Sequence, residues 1–173
     1  GDGKVDLAVP NMAINCVSAA RGAGDGTFAP AAGSPLLLAP RPGYLVAGDV
    51  DGDGRIDLLA THDDDGAVSL LLGDDKLGWK RADPVLLTTP VWGSVLADLD
   101  GDGDLDLAAA APAAGVVVLL NDGKGHFSAV PGAPFSAGAN VCYVAAVDVD
   151  EDGRVDIVAS RYGSGDAPVL LNR

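Results

Sequence analysis

The stretch DVDGDGRID, residues 49–57, places four carboxylates and two glycines in nine residues. Two carboxylates about 4 Å apart repel by about 4 kcal/mol at an effective dielectric of about 20, so such a knot needs a counter-charge. The stretch is not alone. DLDGDGDLD follows at 98–106 and DVDEDGRVD at 148–156, and the chain opens inside a fourth copy, GDGKVD. Asp2, Asp53, Asp102 and Asp152 occupy equivalent places, 51, 49 and 50 residues apart. A fixed period near 50 residues is the signature of a repeat architecture.

The residues between the acidic stretches repeat as well. Each is followed by an apolar strand, a break, a second apolar strand, a Gly-containing turn and an aromatic. The turns read GDGTF ending at Phe28, DKLGW ending at Trp79 and GKGHF ending at Phe127. LLN at 119–121 returns at 170–172. In the second repeat the pattern predicts strands at Tyr44–Gly48, Ile56–His62, Ala67–Leu72 and Trp79–Leu87, rich in Val, Ile and Leu and bounded by Asp and Gly. The Ala-rich run at 107–115 is broken by Pro112 and Gly115, which predicts a turn between strands rather than a helix. The fold class expected is all-β: a β-propeller of four-stranded antiparallel blades, about three and a half blades and 14 strands, with repeats at about 1–31, 43–88, 92–131 and 141–173. A parallel β-helix fits less well, because its repeats are usually shorter. Kelch and WD blades lack support, with no Gly-Gly pair and no Trp-Asp. The first repeat lacks its opening strand and the fourth its closing one. This reads as one propeller segment, part of a longer ring or closed by blades of the same or another chain.

Composition narrows the function. Net charge is −14 over 173 residues, which argues against nucleic acid and anionic membrane surfaces. No apolar run reaches the roughly 18 residues of a membrane span. Of the 25 acids, 24 are Asp. Fourteen lie at the repeated motif positions, and the remaining 11 equal the 11 Lys and Arg, so the whole net charge is motif aspartate.

In each acidic stretch, positions 1, 3 and 5 present carboxylates to the inside of a curled loop. Gly at position 6 permits the turn, the position-7 carbonyl is available, and Asp at position 9 closes the cage. The ligand sets expected are Asp49, Asp51, Asp53, the Arg55 carbonyl and Asp57; then Asp98, Asp100, Asp102, the Asp104 carbonyl and Asp106; then Asp148, Asp150, Asp152, the Arg154 carbonyl and Asp156. All-oxygen donors without His or Cys favour Ca²⁺ over zinc or copper, and several carboxylates in a flexible loop favour it over Mg²⁺. Three Ca²⁺ sites are expected, with a structural rather than catalytic role; the first repeat keeps only positions 5 and 9. Ala60, Ala109 and Ala159 stand where an EF-hand needs its twelfth-position Glu.

The pattern D-x-D-x-D-G-x-x-D, followed by DLLATH, DLAAAA or DIVASR and then by LLNDGKGHF, resembles the FG-GAP-like (VCBS-type) repeat of integrin α-subunit-like calcium-binding propellers. The resemblance covers nearly the whole chain. It implies a seven-bladed ring in many members, calcium between the first two strands of a blade, and an extracellular, secreted or cell-surface setting. It does not imply one activity, since such repeats occur in adhesins, in lectins and as accessory modules of secreted enzymes.

The end of the hairpins opposite the acidic loops carries Tyr44, His62, Trp92, Tyr143, Arg161 and Tyr162. Aromatics with nearby Asp and Arg suit a protein or glycan ligand, although Tyr44, Trp92 and Tyr143 also read as packing residues at equivalent places. His62, beside three Asp in HDDDG, reads as a solvated turn more readily than as a metal ligand. His126 reads as surface. Two histidines assemble no catalytic set, so no enzyme is expected. Cys16 and Cys142 lie three repeats apart and read as buried thiols. The function expected is an extracellular calcium-binding module for recognition or adhesion. The alternatives are a non-catalytic accessory module of a secreted carbohydrate-active or other enzyme, or a lectin.

Overall fold

The structure, a computed structural model, describes residues 2–64, 66–74 and 78–173. Within HDDDG, Asp65 lies outside the described residues, as do residues 75–77 of the DKLGW turn and Gly1 of the opening motif.

Four antiparallel sheets follow one another along the chain, and the described residues contain no helix. The first sheet is β1 (Leu7–Asn11), β2 (Cys16–Gly22), β3 (Phe28–Pro30) and β4 (Leu36–Leu37). The second is β5 (Pro42–Gly48), β6 (Asp57–His62), β7 (Ala67–Gly73), β8 (Trp79–Arg81) and β9 (Val85–Leu86). The third is β10 (Ser94–Ala97), β11 (Asp106–Ala111), β12 (Gly115–Asn121) and β13 (Phe127–Ala129). The fourth is β14 (Val141–Val147), β15 (Asp156–Arg161) and β16 (Val169–Leu170). Each sheet is a meander in chain order. Among the described residues no helix is long and apolar enough to cross a membrane.

The described residues form 16 strands, where the sequence predicts 14. The two additional strands come from the outer strand, which breaks in the first two sheets. β8 pairs with one half of β7 and β9 with the other, with Leu71↔Arg81 and Val68↔Val85 in register. Between them Ala82 still donates to the Leu70 carbonyl at 3.0 Å, but Pro84 has no N–H to continue the ladder. In the first sheet the break falls after Ala31, and the Ser34 hydroxyl accepts from the Ala19 amide at 2.8 Å. The first sheet therefore extends to Leu37, past the expected repeat end near residue 31.

The sheets stack face to face, and three apolar clusters fill the spaces between them. Val17 and Leu38 meet Leu58, Ala60 and Leu71 between the first and second sheets. Leu59, Val68 and Leu70 meet Leu107, Ala109 and Leu119 between the second and third. Ala108, Ala110 and Val118 meet Val141, Ile157 and Ala159 between the third and fourth. A strand buried on both faces reads as a continuous apolar run, and β11, DLAAAA, is one. Alternate alanines of that strand face opposite neighbours, and their small size lets both sheets approach. The turn after β11 forms at Pro112–Ala114 as the sequence predicts, closed by the Ala114 amide on the Ala111 carbonyl at 3.0 Å. Gly115 follows at φ 116°, where a side chain would strike the Phe135 backbone. Among the described residues, the first and fourth sheets each pack on one neighbour. Leu7 and Val9 are exposed where their counterparts Leu58 and Ala60 are buried.

Candidate functional site

All three complete acidic stretches form tight loops between the first two strands of their sheets. The loops are built from carboxylates accepting nearby backbone N–H groups, the local chemistry that makes Asp a turn residue. Asp49 accepts from Gly52 and Gly54 at 2.9 and 2.8 Å, and Asp98 from Gly101 and Gly103 at 2.8 and 3.1 Å. Asp148 accepts from Asp152 and Gly153 at 3.2 and 2.9 Å. The position-5 carboxylates Asp53, Asp102 and Asp152 each accept from the amide two residues on, all at 2.9 Å. Asp2 in the first repeat does the same with Lys4 at 3.1 Å.

At position 4 the backbone is left-handed. Gly52 and Gly101 adopt it without cost, but the fourth loop has Glu151 at φ 61°. A residue with a Cβ is strained there by about 1–2 kcal/mol. Glu151→Gly is therefore expected to raise the stability of the chelated protein by up to about 1 kcal/mol, after the larger unfolded-state entropy of Gly is subtracted. Urea unfolding in EDTA measures it, and a loss of stability would contradict the assignment of strain.

The geometry gathers Asp49, Asp51 and Asp53 in one loop, Asp98, Asp100 and Asp106 in the next, and Asp148, Asp150 and Asp152 in the last. In each group, one oxygen per residue lies within 4.8 Å of the others. Three hard oxygen donors at that spacing in a loop turned by glycines fit a calcium ion and suit no soft metal. Asp102 falls outside the third group. At position 7 Arg55 pairs with Asp53 and Arg154 with Asp152, so in these two loops the position-5 charge already has a partner. Asp104 takes that place in the third loop and adds a negative charge instead.

The ninth-position aspartates do something the sequence reading missed. Asp57 is fully buried, with one oxygen accepting from Val50 at 2.9 Å and the other from Gly73, 16 residues on, at 2.7 Å. Asp106 holds Leu99 and Asn121 in the same way, both at 2.8 Å, and Asp156 holds Val149 and Asn172 at 2.9 and 2.8 Å. These carboxylates tie the loop to the end of the sheet's third strand. At the third loop the ninth position is both clamp and member of the carboxylate group, and Asp57 and Asp156 form the same clamp at their own loops. Burial pushes the carboxyl pKa of Asp57 up, against the Gly73 and Val50 hydrogen bonds, and the Asp51 and Asp53 charges add to the rise. Asp106 is raised for the same reasons. Asp156 is lowered: among the described residues no sheet covers the outer face of the fourth, and the Asn172 and Val149 hydrogen bonds outweigh desolvation.

A second unforeseen feature is the Asn of LLN. The Asn121 side-chain amide donates to the Val50 carbonyl of the preceding acidic loop at 2.8 Å and to Leu105 of its own at 3.2 Å. Asn172 repeats this on Leu99 and Val155 at 2.6 and 3.2 Å. The recurrence of LLN was the available signal.

The pairings Pro42↔His62, Tyr44↔Thr61, Val141↔Arg161 and Tyr143↔Ser160 put the remaining candidates at the far end of the hairpins from the acidic loops. There Tyr44 and Tyr143 meet edge to face, ring centroids 5.7 Å apart, although a whole sheet lies between their own. Gly93 makes this contact possible, because a Cβ there would collide with the Tyr143 ring. Gly93, not Trp92, holds the place equivalent to the two tyrosines, so Trp92 is one residue out of the expected register. Trp92 is 41% exposed and Tyr162 78%. Arg161 donates from Nε to the Ala139 carbonyl at 3.0 Å and pairs through Nη1 with Asp166 at 2.7 Å.

His62 is neither a solvated turn residue nor a ligand. It is completely buried, with Nδ1 2.7 Å from the Pro40 carbonyl and Nε2 2.9 Å from Ser69 Oγ. A carbonyl only accepts, so Nδ1 carries the proton and Nε2 takes the serine's. Both cysteines are free; Cys16 is buried as expected, but Cys142 is half-buried, its thiol directed at the Asn140 carbonyl.

The described motif, three acidic loops one sheet apart, has a counterpart among known proteins. The family model described as FG-GAP-like repeat matches residues 1–60, 49–109 and 98–159. The second and third windows open on an acidic loop, and each window closes just past the next one. No curated protein matches the sequence. Among solved structures, the crystal structure of the Vibrio cholerae biofilm matrix protein Bap1 is similar over 92% of this chain at 24% identity, with a TM-score of 0.55. At that identity the likeness concerns the fold, and the chain spans 26% of that protein's length. With the repeat matched in three overlapping windows that follow the acidic loops, this chain belongs to the FG-GAP-like repeat family.

Proposed function

We propose that this chain is a calcium-stabilised β-propeller segment of an extracellular protein, non-catalytic, serving adhesion or recognition of a protein or glycan. The observation that carries this reading is the recurrence of the carboxylate groups at the same end of successive stacked sheets. Face-to-face stacking of four-stranded meanders supports the propeller, as does the exposed apolar face at each end of the stack. Loops of this kind work where calcium is millimolar, outside the cell. The fold-level likeness to a biofilm matrix protein supports an adhesive role. The non-catalytic reading is supported at the one Ser–His pair noted above. His62 and Ser69 are at hydrogen-bonding distance, as in a base–nucleophile pair, but both are sealed in the core, where no substrate reaches them.

The ligand surface in this reading is the end opposite the calcium loops. Tyr44 and Tyr143 serve partly to pack against each other, which leaves Trp92 and Tyr162 as its free aromatics. In a glycan and peptide screen, Trp92→Ala and Tyr162→Ala should each weaken binding about ten-fold, the worth of one aromatic contact of ~1.4 kcal/mol. Full binding by both variants would place the ligand elsewhere.

A further inference from the structure

The three acidic loops are joined by one line of hydrogen bonds. Asp57 accepts from the Val50 amide, and the Val50 carbonyl accepts from the Asn121 side chain. The Asn121 backbone amide then donates to Asp106, which also accepts from the Leu99 amide. The Leu99 carbonyl accepts from the Asn172 side chain, and the Asn172 amide donates to Asp156. Each side chain reaches a residue more than 70 positions away. The second-position peptide of each loop lies between the first- and third-position carboxylates, so an ion that fixes Asp49 and Asp51 also fixes the Val50 carbonyl. The line has a natural end. Gly73 and Gly22 take the Asn place in the second and first sheets, where a Cβ would collide with the Ile56 and Val5 carbonyls.

We propose that Asn121 and Asn172 are positioning residues that couple cation binding at successive acidic loops, so that filling one loop raises the affinity of the next. The inference rests on the calcium reading above. Ordering the peptide at one end of the line removes part of the ordering cost at the other, which is positive cooperativity without any shared ligand. Asn121 carries the coupling between the loops at 49–57 and 98–106, and Asn172 that between 98–106 and 148–156.

The test is an NMR-followed calcium titration of the whole chain, reading the Gly54, Gly103 and Gly153 amides as one reporter per loop. Disabling the first of these loops by Asp51→Ala should weaken calcium binding reported by Gly103 about five-fold, the low end of usual couplings. In the Asn121→Gly background, which copies the Gly found at the equivalent place in the second sheet, Asp51→Ala should leave the Gly103 affinity unchanged. If Asn121→Gly lowers stability in EDTA but the five-fold effect of Asp51→Ala persists, Asn121 is only structural and the coupling is refuted. If Asp51→Ala has no effect on Gly103 in the parent protein, the loops are independent and the proposal falls while the calcium reading stands. No calcium response at any reporter in the parent protein overturns both.

Discussion

Asp57→Ala is expected to destabilise the chelated protein by about 2–4 kcal/mol, because it leaves two backbone N–H groups in the interior without acceptors, at roughly 1–3 kcal/mol each. The groups are those of Val50 and Gly73, now held at 2.9 and 2.7 Å. Asp53→Ala removes a carboxylate of the same loop but frees only the exposed Arg55 amide and the surface pair with the Arg55 guanidinium, so its effect on the chelated protein should be small. The comparison separates clamp from ligand by urea unfolding in EDTA. Equal effects from the two substitutions would show that Asp57 has no such role.

The same residue gives the chelated protein a defined pH dependence. Asp57 has a folded pKa raised above its ordinary value of 3.8, so the folded state binds the proton more tightly than the unfolded chain. That contribution favours folding below 3.8 and is lost as pH rises through the raised value. Asp156, with its pKa lowered, has the opposite sign: its contribution is present above 3.8 and is lost as pH falls through its folded value. In EDTA, the stability gap between the parent protein and Asp57→Asn should therefore shift against the parent as pH rises from 3.8 toward neutrality. For Asp156→Asn the gap should shift against the parent as pH falls below that value.

Calcium itself should give the other large effect. At free calcium 100-fold above the dissociation constant, each site that exists only in the folded chain adds about 2.7 kcal/mol of stability. Three sites would thus dominate the stability of a domain whose ordinary margin is about 5–15 kcal/mol. The charge distribution argues for the same size of effect, since the net −14 is entirely motif aspartate. Differential scanning calorimetry with excess calcium and with EDTA should show a melting temperature higher by tens of degrees when calcium is present, and the shift should shrink as acid protonates the ligands. A melting temperature indifferent to calcium at neutral pH would overturn the structural role of the loops.

The repeat, its register and the acidic loops were legible because their chemistry is local. Asp accepting from an amide two to five residues on, with Gly supplying left-handed backbone, depends on nothing beyond nine residues of chain. Asp49, Asp98 and Asp148 accordingly stand where spacing put them. The same locality predicted the turn at Pro112. Reading position 9 as one more ligand did not disclose the clamp that Asp57 and Asp156 form. Their partners Gly73 and Asn172 lie a hairpin away, and spacing says nothing about which peptide a strand end offers.

The sequence by itself therefore determined an all-β repeat with carboxylate loops at a fixed phase. Only tertiary structure decided what those loops are tied to. His62 looked solvated among its aspartates until folding buried it between the Pro40 carbonyl and the Ser69 hydroxyl of the neighbouring strand. Trp92 looked equivalent to Tyr44 and Tyr143, but five residues before Asp49, Asp98 and Asp148 stand Tyr44, Gly93 and Tyr143; what the packed sheets add is that the two tyrosines meet over Gly93. The Asn bridges span more than 70 residues and exist only because consecutive sheets pack face to face. Contacts within a turn follow from chain geometry, whereas contacts between sheets follow from which apolar faces bury each other, and that is settled by the whole chain at once.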